Sequence, residues 1–199
     1  MNETAAETFL AMVAGREGHF QLESGHHGEL WLDLDALFTE PRRVAPLVAL
    51  LAEALRPYEA AVVCGPLIGG AFLAQAAAAA LNVEFAFTER VMPPAREGLY
   101  PAVYRLPRAF EPRVRGRRVA IVDDVMSAGS AARGTYSELI GHGAAPVVVG
   151  ALLVLGSTGA DFFLQHGVAV EAAARRPYRL WLPAACPLCV SGVPLEAVS

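Results

Sequence analysis

The chain reads as an α/β fold: a parallel β-sheet with helices on both faces, preceded by a small N-terminal hood. Three observations predict this. Short apolar runs at residues 60–64, 119–122 and 146–155 lack the polar alternation of a half-exposed strand, as expected for strands buried on both faces. Stretches rich in helix formers lie between them. Strands also run into glycine-bearing turns that open helices, the connection that builds parallel β-α units.

The elements follow in order. Residues 4–15 suit a short helix with Phe9, Leu10, Met12 and Val13 on its apolar side. Residues 18–38 are strand-rich, and Leu30, Leu32 and Leu34 alternate with Trp31, Asp33 and Asp35 at a period of two. Residues 41–55 form a helix with proline at its first position, where the missing N–H costs nothing. A buried strand at 60–64 enters a turn at 65–70 and a helix at 71–81 made almost wholly of strong helix formers. Residues 84–87 give another strand. Residues 90–112 are rich in proline and charge, and read as a long exposed loop with a hairpin across 102–106. A strand at 119–122, a helix at 131–142, a strand at 146–155 and a helix at 159–166 follow. Residues 168–173 are ambiguous between strand and helix, and 180–182 suit an edge strand. No internal repeat is evident.

At 199 residues the chain is expected to be one domain. Hydrophobic residues make up 54% and mean hydropathy is +0.38, so a large core is available. A net charge of −4 argues against a binder that works by neutralising nucleic-acid phosphates. The most apolar stretch, 60–81, is interrupted by Gly65, Pro66, Gly69 and Gly70 and is no membrane span. The first seven residues are acidic and polar, unlike a signal peptide, so the expectation is a cytoplasmic protein with no membrane partner.

The richest segment is Val119-Ala-Ile-Val-Asp-Asp-Val-Met-Ser-Ala-Gly-Ser-Ala131. A buried strand delivers two acids, Asp123 and Asp124, to its end. A turn of small residues then opens a helix. Ser127, Ala128, Gly129, Ser130 and Ala131 can turn successive N–H groups onto one anion, and the helix adds the positive end of its dipole. Carboxylates do not bind phosphate, but they accept hydrogen bonds from a sugar diol or hold a divalent cation. A phosphate cradle just after a diol-binding pair points to a sugar phosphate. The plainer alternative is an ordinary strand-to-helix turn with two solvated acids, which a lone Asp-Asp pair would favour. A second strand–glycine turn–helix start runs through Cys64, Gly65, Pro66, Leu67, Ile68, Gly69 and Gly70. By itself it is weak, since close helix–strand packing also selects glycine.

The first segment resembles the 5-phosphoribosyl-1-pyrophosphate (PRPP) motif of type I phosphoribosyltransferases. The resemblance implies that Asp123 and Asp124 hold the ribose hydroxyls, and that residues 127–131 bind the 5-phosphate. It also implies that Cys64 to Gly70, with Arg90, hold the leaving pyrophosphate together with Mg²⁺. Phe20-Gln-Leu-Glu-Ser-Gly25 and Leu30-Trp-Leu-Asp-Leu-Asp35 look like the hood of orotate phosphoribosyltransferases, in which Ser24, Gly25, His26 and His27 would border the base. The expectation is then a single phosphoribosyltransferase domain over 1–199, with a hood at 1–40 and a lid at 88–112. It would be a homodimer that uses PRPP and a base, orotate first. A purine or another base, or a PRPP-binding regulator without turnover, are the alternatives.

One absence runs against the family pattern. All 16 basic residues are arginine, and there is no lysine. The family uses lysines near the hood and in the mobile loop. Here the loop carries Arg90, Arg96, Arg105 and Arg108, of which Arg96 is expected to act on the leaving group. Arginine can clamp pyrophosphate bidentately but is a poor proton donor. Tyr100, His26 and His27 are the remaining candidates for that role.

Three cysteines complete the inventory. Cys64, in an apolar strand, reads as a buried small hydrophobe. Cys186-Pro-Leu-Cys189 has metal-ligand spacing but supplies half a site. A partner copy, His142 or His166 could supply the rest. Two reduced thiols in a terminal turn is the simpler reading.

Overall fold

The computed structural model describes residues 3–91 and 98–197. Its strands are β1 (Ala14–Gln21), β2 (His27–Asp33), β3 (Val62–Pro66), β4 (Glu84–Val91), β5 (Val103–Arg105), β6 (Arg118–Met126), β7 (Ala145–Leu155), β8 (Ala169–Arg176), β9 (Leu180–Trp181) and β10 (Glu196–Ala197). The helices are α1 (Glu3–Leu10), α2 (Pro41–Leu55), α3 (Gly69–Leu81), α4 (Glu111–Val114), α5 (Ser130–Gly141), α6 (Thr158–Gln165) and α7 (Pro187–Val190).

The main sheet has the order β5-β4-β3-β6-β7-β8. Its strands are parallel except β5, which closes one edge antiparallel to β4. Buried β6 side chains divide by parity. Ala120 and Val122 pack with Leu47, Leu51 and Leu73 from α2 and α3. Val119 and Ile121 pack with Ala132, Leu139 and Phe163 from α5 and α6. Two cores result, one on each face, which is why these strands carry no polar side. A fully buried Leu or Phe of this kind contributes about 1.5–3 kcal/mol.

The strand order also fixes where a ligand can bind. The chain leaves β3 through α3 to reach β4 on one side, and leaves β6 through α5 to reach β7 on the other. These crossovers lie on opposite faces of the sheet. The carboxyl ends of β3 and β6 therefore border an open crevice, the topological switch point at which open α/β sheets take ligands.

A second sheet, β10-β1-β2-β9, lies outside this frame. The β1–β2 hairpin is the N-terminal hood. Both of its outer strands come from the other end of the chain: β9 pairs with β2 antiparallel, and β10 with β1 in parallel. The hood is thus built from both termini, which local sequence reading does not reveal.

The structure departs from the sequence expectations in three places. The described residues of 90–112 are not one long loop with its own hairpin: β4 continues to Val91 and pairs with β5 through Arg90↔Tyr104. Glu138 of α5 holds β5 in place, accepting hydrogen bonds from Arg105 Nη1 and Leu106 N–H, each at 2.9 Å. Residues 108–114 are helical. The segment ambiguous at 168–173 resolves as strand β8 over Ala169–Arg176, because β7 offers a parallel edge that a short amphipathic segment can satisfy. The first helix stops at Leu10, and residues 14–15 begin β1 instead.

Candidate active site

A cavity of about 850 Å³ occupies the switch-point crevice beneath the hood. Its floor is the ends of β3 and β6, and its roof is the chain from Leu22 to Asp35. Asp123 and Asp124 reach it from β6. Ser127 and Gly129 line it from the turn before α5, with Ser130 and Ala131 in the first turn of that helix. Gly129 sits at φ +75°, a left-handed angle that L side chains rarely adopt, and the helix opens directly after it. Ala128 is buried beside the cavity rather than on its wall.

The acids are held rigidly. Asp124 N–H donates to Asp123 Oδ1 at 3.1 Å, and Val125 N–H donates to Asp124 Oδ1 at 2.7 Å. Burial and then the neighbouring Asp124 charge push Asp123 well above the usual carboxylate range. Burial also raises Asp124. Two carboxylates side by side in a poorly solvated site lack counter-charge, the condition that hydroxyl donors or a divalent cation relieve.

The second glycine turn meets this pair. Pro66, Leu67, Ile68, Gly69 and Gly70 all line the cavity. A Cβ at Gly69 would collide with Asp124 Oδ2, and one at Gly70 would lie 2.9 Å from Asp123 Oδ1. These glycines therefore let the two acids stand against the start of α3. Gly65 serves packing: a Cβ there would strike the Gly70 carbonyl. Cys64, expected in the pyrophosphate turn, is fully buried in β3 among the α5-side core, and burial pushes its thiol up to about 12. It has no ligand-facing role.

Arg90 lines the cavity and lies 3.8 Å from Glu23 Oε2. Arg96 falls outside the described residues. Of the hood residues, Ser24 lines the cavity. Gly25 takes φ +79°, with the Gly98 carbonyl close against it. His26 accepts or donates at Ser24 Oγ (3.1 Å) and packs edge-on against Tyr100, off the cavity wall. Arg133 lies 4.5 Å from the centre of the Tyr100 ring and 4.2 Å from that of Phe162. Tyr100 thus serves to join the β4–β5 connection to α5 and α6, and it does not line the cavity. His27 is the clear correction: its ring turns away from the cavity toward His19, with Nδ1 3.1 Å from His19 Nε2.

Other cavity residues were not singled out in the sequence. Tyr104 hydroxyl donates to Glu23 Oε1 at 3.0 Å, and its ring packs on Gly134 of α5, where no Cβ intervenes. Trp31 and Glu89 also line the wall. Glu23 stood inside the hood motif, and Trp31 on its alternating strand, so both carried a signal. Tyr104 carried none, because its place depends on β5 pairing with β4.

No protein-family model matches the chain. Among curated proteins, it is 34% identical over 189 residues to the orotate phosphoribosyltransferase of Carboxydothermus hydrogenoformans, covering 94% of this chain and 92% of that protein. It is 32% identical over 180 residues to the orotate phosphoribosyltransferase of Thermotoga petrophila, covering 90% and 89%. Among solved structures, it superposes on orotate phosphoribosyltransferase from Aeropyrum pernix with a TM-score of 0.65 at 21% identity, over 86% of this chain and 93% of that one. Adenine phosphoribosyltransferase from Thermoanaerobacter pseudethanolicus gives 0.65 at 17% identity, over 86% and 99%. These structural likenesses speak for the fold, and the sequence relatives for the family.

Proposed function

The chain belongs to the orotate phosphoribosyltransferase family, and from that premise we propose how its own residues divide the work. The reaction moves the 5-phosphoribosyl group of PRPP to a nucleobase, orotate, and releases pyrophosphate. One observation carries the residue assignment. Both acids stand in one cavity between two glycine turns, each of which opens a helix.

Asp123 and Asp124 accept hydrogen bonds from the ribose hydroxyls through the oxygens not already bonded to backbone. The turn at 127–131 receives the 5-phosphate on N–H groups at the start of α5. The turn at 66–70, at the start of α3, faces the pyrophosphate. The donor set suits Mg²⁺, since Asp123 and Asp124 offer hard carboxylate oxygens in need of counter-charge. Bound there with PRPP, the ion would supply positive charge against the leaving pyrophosphate.

Departure of pyrophosphate leaves positive character at the ribose C1, which a nitrogen of the base attacks from the opposite face. The protein's share is to hold both reactants in line, neutralise the leaving group and keep water from the activated sugar. With no lysine in the chain, Arg90 and Arg96 are assigned the charge neutralisation. The base is assigned to the space beneath Leu22, Glu23, Ser24 and Trp31. The β4–β5 connection is assigned as the cover, and the working form as a homodimer.

The test is pyrophosphate release from PRPP with Mg²⁺ against orotate, uracil, adenine, hypoxanthine and guanine. Release with orotate alone is expected. Release with a purine alone would overturn the base assignment. PRPP binding in calorimetry with no release from any base would favour a regulator that has lost turnover, the reading the missing lysines motivate.

A further inference from the structure

The hood holds a group of side chains that the transfer reaction does not use. His19 comes from β1, His27 from β2, and Cys186 and Cys189 from the segment between β9 and β10. One ligand atom from each converges, all within 4.8 Å of one another. His19, His27 and Cys186 are buried, and Cys189 closes the outer side.

Four of the six separations are close to a zinc tetrahedron's edges, and all six lie within 4.8 Å. With Zn–N near 2.05 Å and Zn–S near 2.3 Å, tetrahedral zinc spaces its ligands about 3.3 Å apart for two nitrogens and about 3.6 Å for nitrogen and sulfur. Here His19 Nε2 and His27 Nδ1 are 3.1 Å apart. Cys186 Sγ is 3.3 Å from His19 Nε2. Cys189 Sγ is 3.3 Å from His27 Nδ1 and 3.7 Å from His19 Nε2.

The tautomer of His19 also fits. Its Nδ1 lies 2.9 Å from the Val193 carbonyl, which can only accept, so the proton sits on Nδ1. The Nε2 lone pair then points into the cluster. A ligating histidine commonly shows this outer hydrogen bond, which fixes ring and tautomer together.

We propose that His19, His27, Cys186 and Cys189 form a structural site for a tetrahedral, borderline-soft divalent ion, zinc. Two thiolates and two imidazoles select zinc over Mg²⁺, which wants oxygen ligands in an octahedron. Four protein ligands leave no open position, so the site fastens rather than catalyses. It ties the C-terminal segment to both strands of the hairpin. His27 also ends the turn over Leu22 to His26, closed by Leu22 N–H to the His26 carbonyl (2.9 Å) and Gly25 N–H to the Leu22 carbonyl (2.8 Å). Leu22, Glu23 and Ser24 of that turn roof the cavity, so the ion anchors the roof from behind.

Neither histidine named earlier takes part. His142 faces Glu138 (3.1 Å), and His166 faces the Phe162 carbonyl (2.7 Å). All four ligands come from one chain, so no partner copy is needed.

The test begins with the full chain purified under reducing conditions and its metal content measured. One zinc per chain is expected. Replacing zinc with Co²⁺ should give intense tetrahedral d–d bands and thiolate-to-metal charge transfer. The Cys186→Ser/Cys189→Ser double variant should lose the metal and the charge-transfer band, while Cys64→Ser keeps both. Stripping the ion with a chelator should lower the melting temperature, and adding zinc back should restore it. No bound metal in reduced wild-type protein would overturn the proposal, as would a Cys186–Cys189 disulfide in its place or a weak octahedral cobalt spectrum. The wild-type cobalt spectrum decides the matter even if the cysteine variants do not fold.

Discussion

Gly69→Ala probes the join between the two glycine turns and the acid pair. Gly69 opens α3, and a Cβ there would overlap Asp124 Oδ2, with Asp124 Cγ at 2.8 Å. Ordinary carbon contacts begin near 3.5 Å, so the carboxylate must retreat by well over half an ångström. It is held from behind by Val125 N–H at 2.7 Å, so it can yield only by swinging its free oxygen off the cavity or by breaking that bond. Either response removes a charge-assisted hydrogen bond to the ribose, worth about 1.5–3 kcal/mol. PRPP affinity should therefore fall roughly 10- to 150-fold. The fold should change little, because Gly69 does not sit at a left-handed φ and the atoms that a Cβ would meet belong to the Asp124 side chain rather than to backbone. Calorimetry with PRPP and Mg²⁺, beside a thermal melt, reads both. Gly141→Ala in the last turn of α5 is the control, since a Cβ there meets nothing within 4 Å. Unchanged PRPP affinity in Gly69→Ala would refute the diol assignment of Asp124.

Three further outcomes follow from the same geometry. Asp123→Asn should abolish PRPP binding yet raise the melting temperature at neutral pH, by about 2–4 °C for each kcal/mol gained. The folded state raises the Asp123 pKa, so folding binds extra protons between the ordinary carboxylate value and the raised one; stability contributed by this group falls as pH rises through that window and stays low above it. The melting-temperature gap between wild type and Asn should accordingly close toward acid pH, and a gap independent of pH would contradict the shift. A dicarbonyl reagent specific for arginine should inactivate the enzyme, with PRPP protecting, whereas an amine reagent should have no lysine to hit; Arg90→Ala and Arg96→Ala should each lower kcat more than PRPP affinity, and normal turnover in either would remove that residue from the mechanism. Cys64, with its thiol raised to about 12 and no exposure, should stay unreactive to a thiol reagent in the native protein and react only on unfolding.

Much of this protein is set by local sequence. The burial of β6 on both faces follows from Val119 to Val122 having no polar position. The start of α2 follows from Pro41, and the turn before α5 from Gly129, whose left-handed φ belongs to glycine. The acid pair and the two glycine turns are legible for the same reason: each is contiguous, and its chemistry depends on neighbours a few residues away. What depends on distant pairing is not legible. Residues 90–112 read as a loop with a local hairpin across 102–106, because a three-residue edge strand such as β5 has no periodicity of its own; the free edge of β4 and the Glu138 carboxylate decide what residues 103–105 pair with. Gly69 and Gly70 read as a ligand-approaching turn or as plain helix–strand packing, and only the approach of β3 to β6 makes them the seat of the acids. The histidines beside the hood turn look like base contacts, but strand register turns His27 toward His19. A half-site of two cysteines gains its other half from residues more than 150 positions earlier, because β9 and β10 bring the C-terminal segment back onto the hood. Side-chain direction and long-range pairing are tertiary properties, and they separate the cavity wall from the cluster behind it.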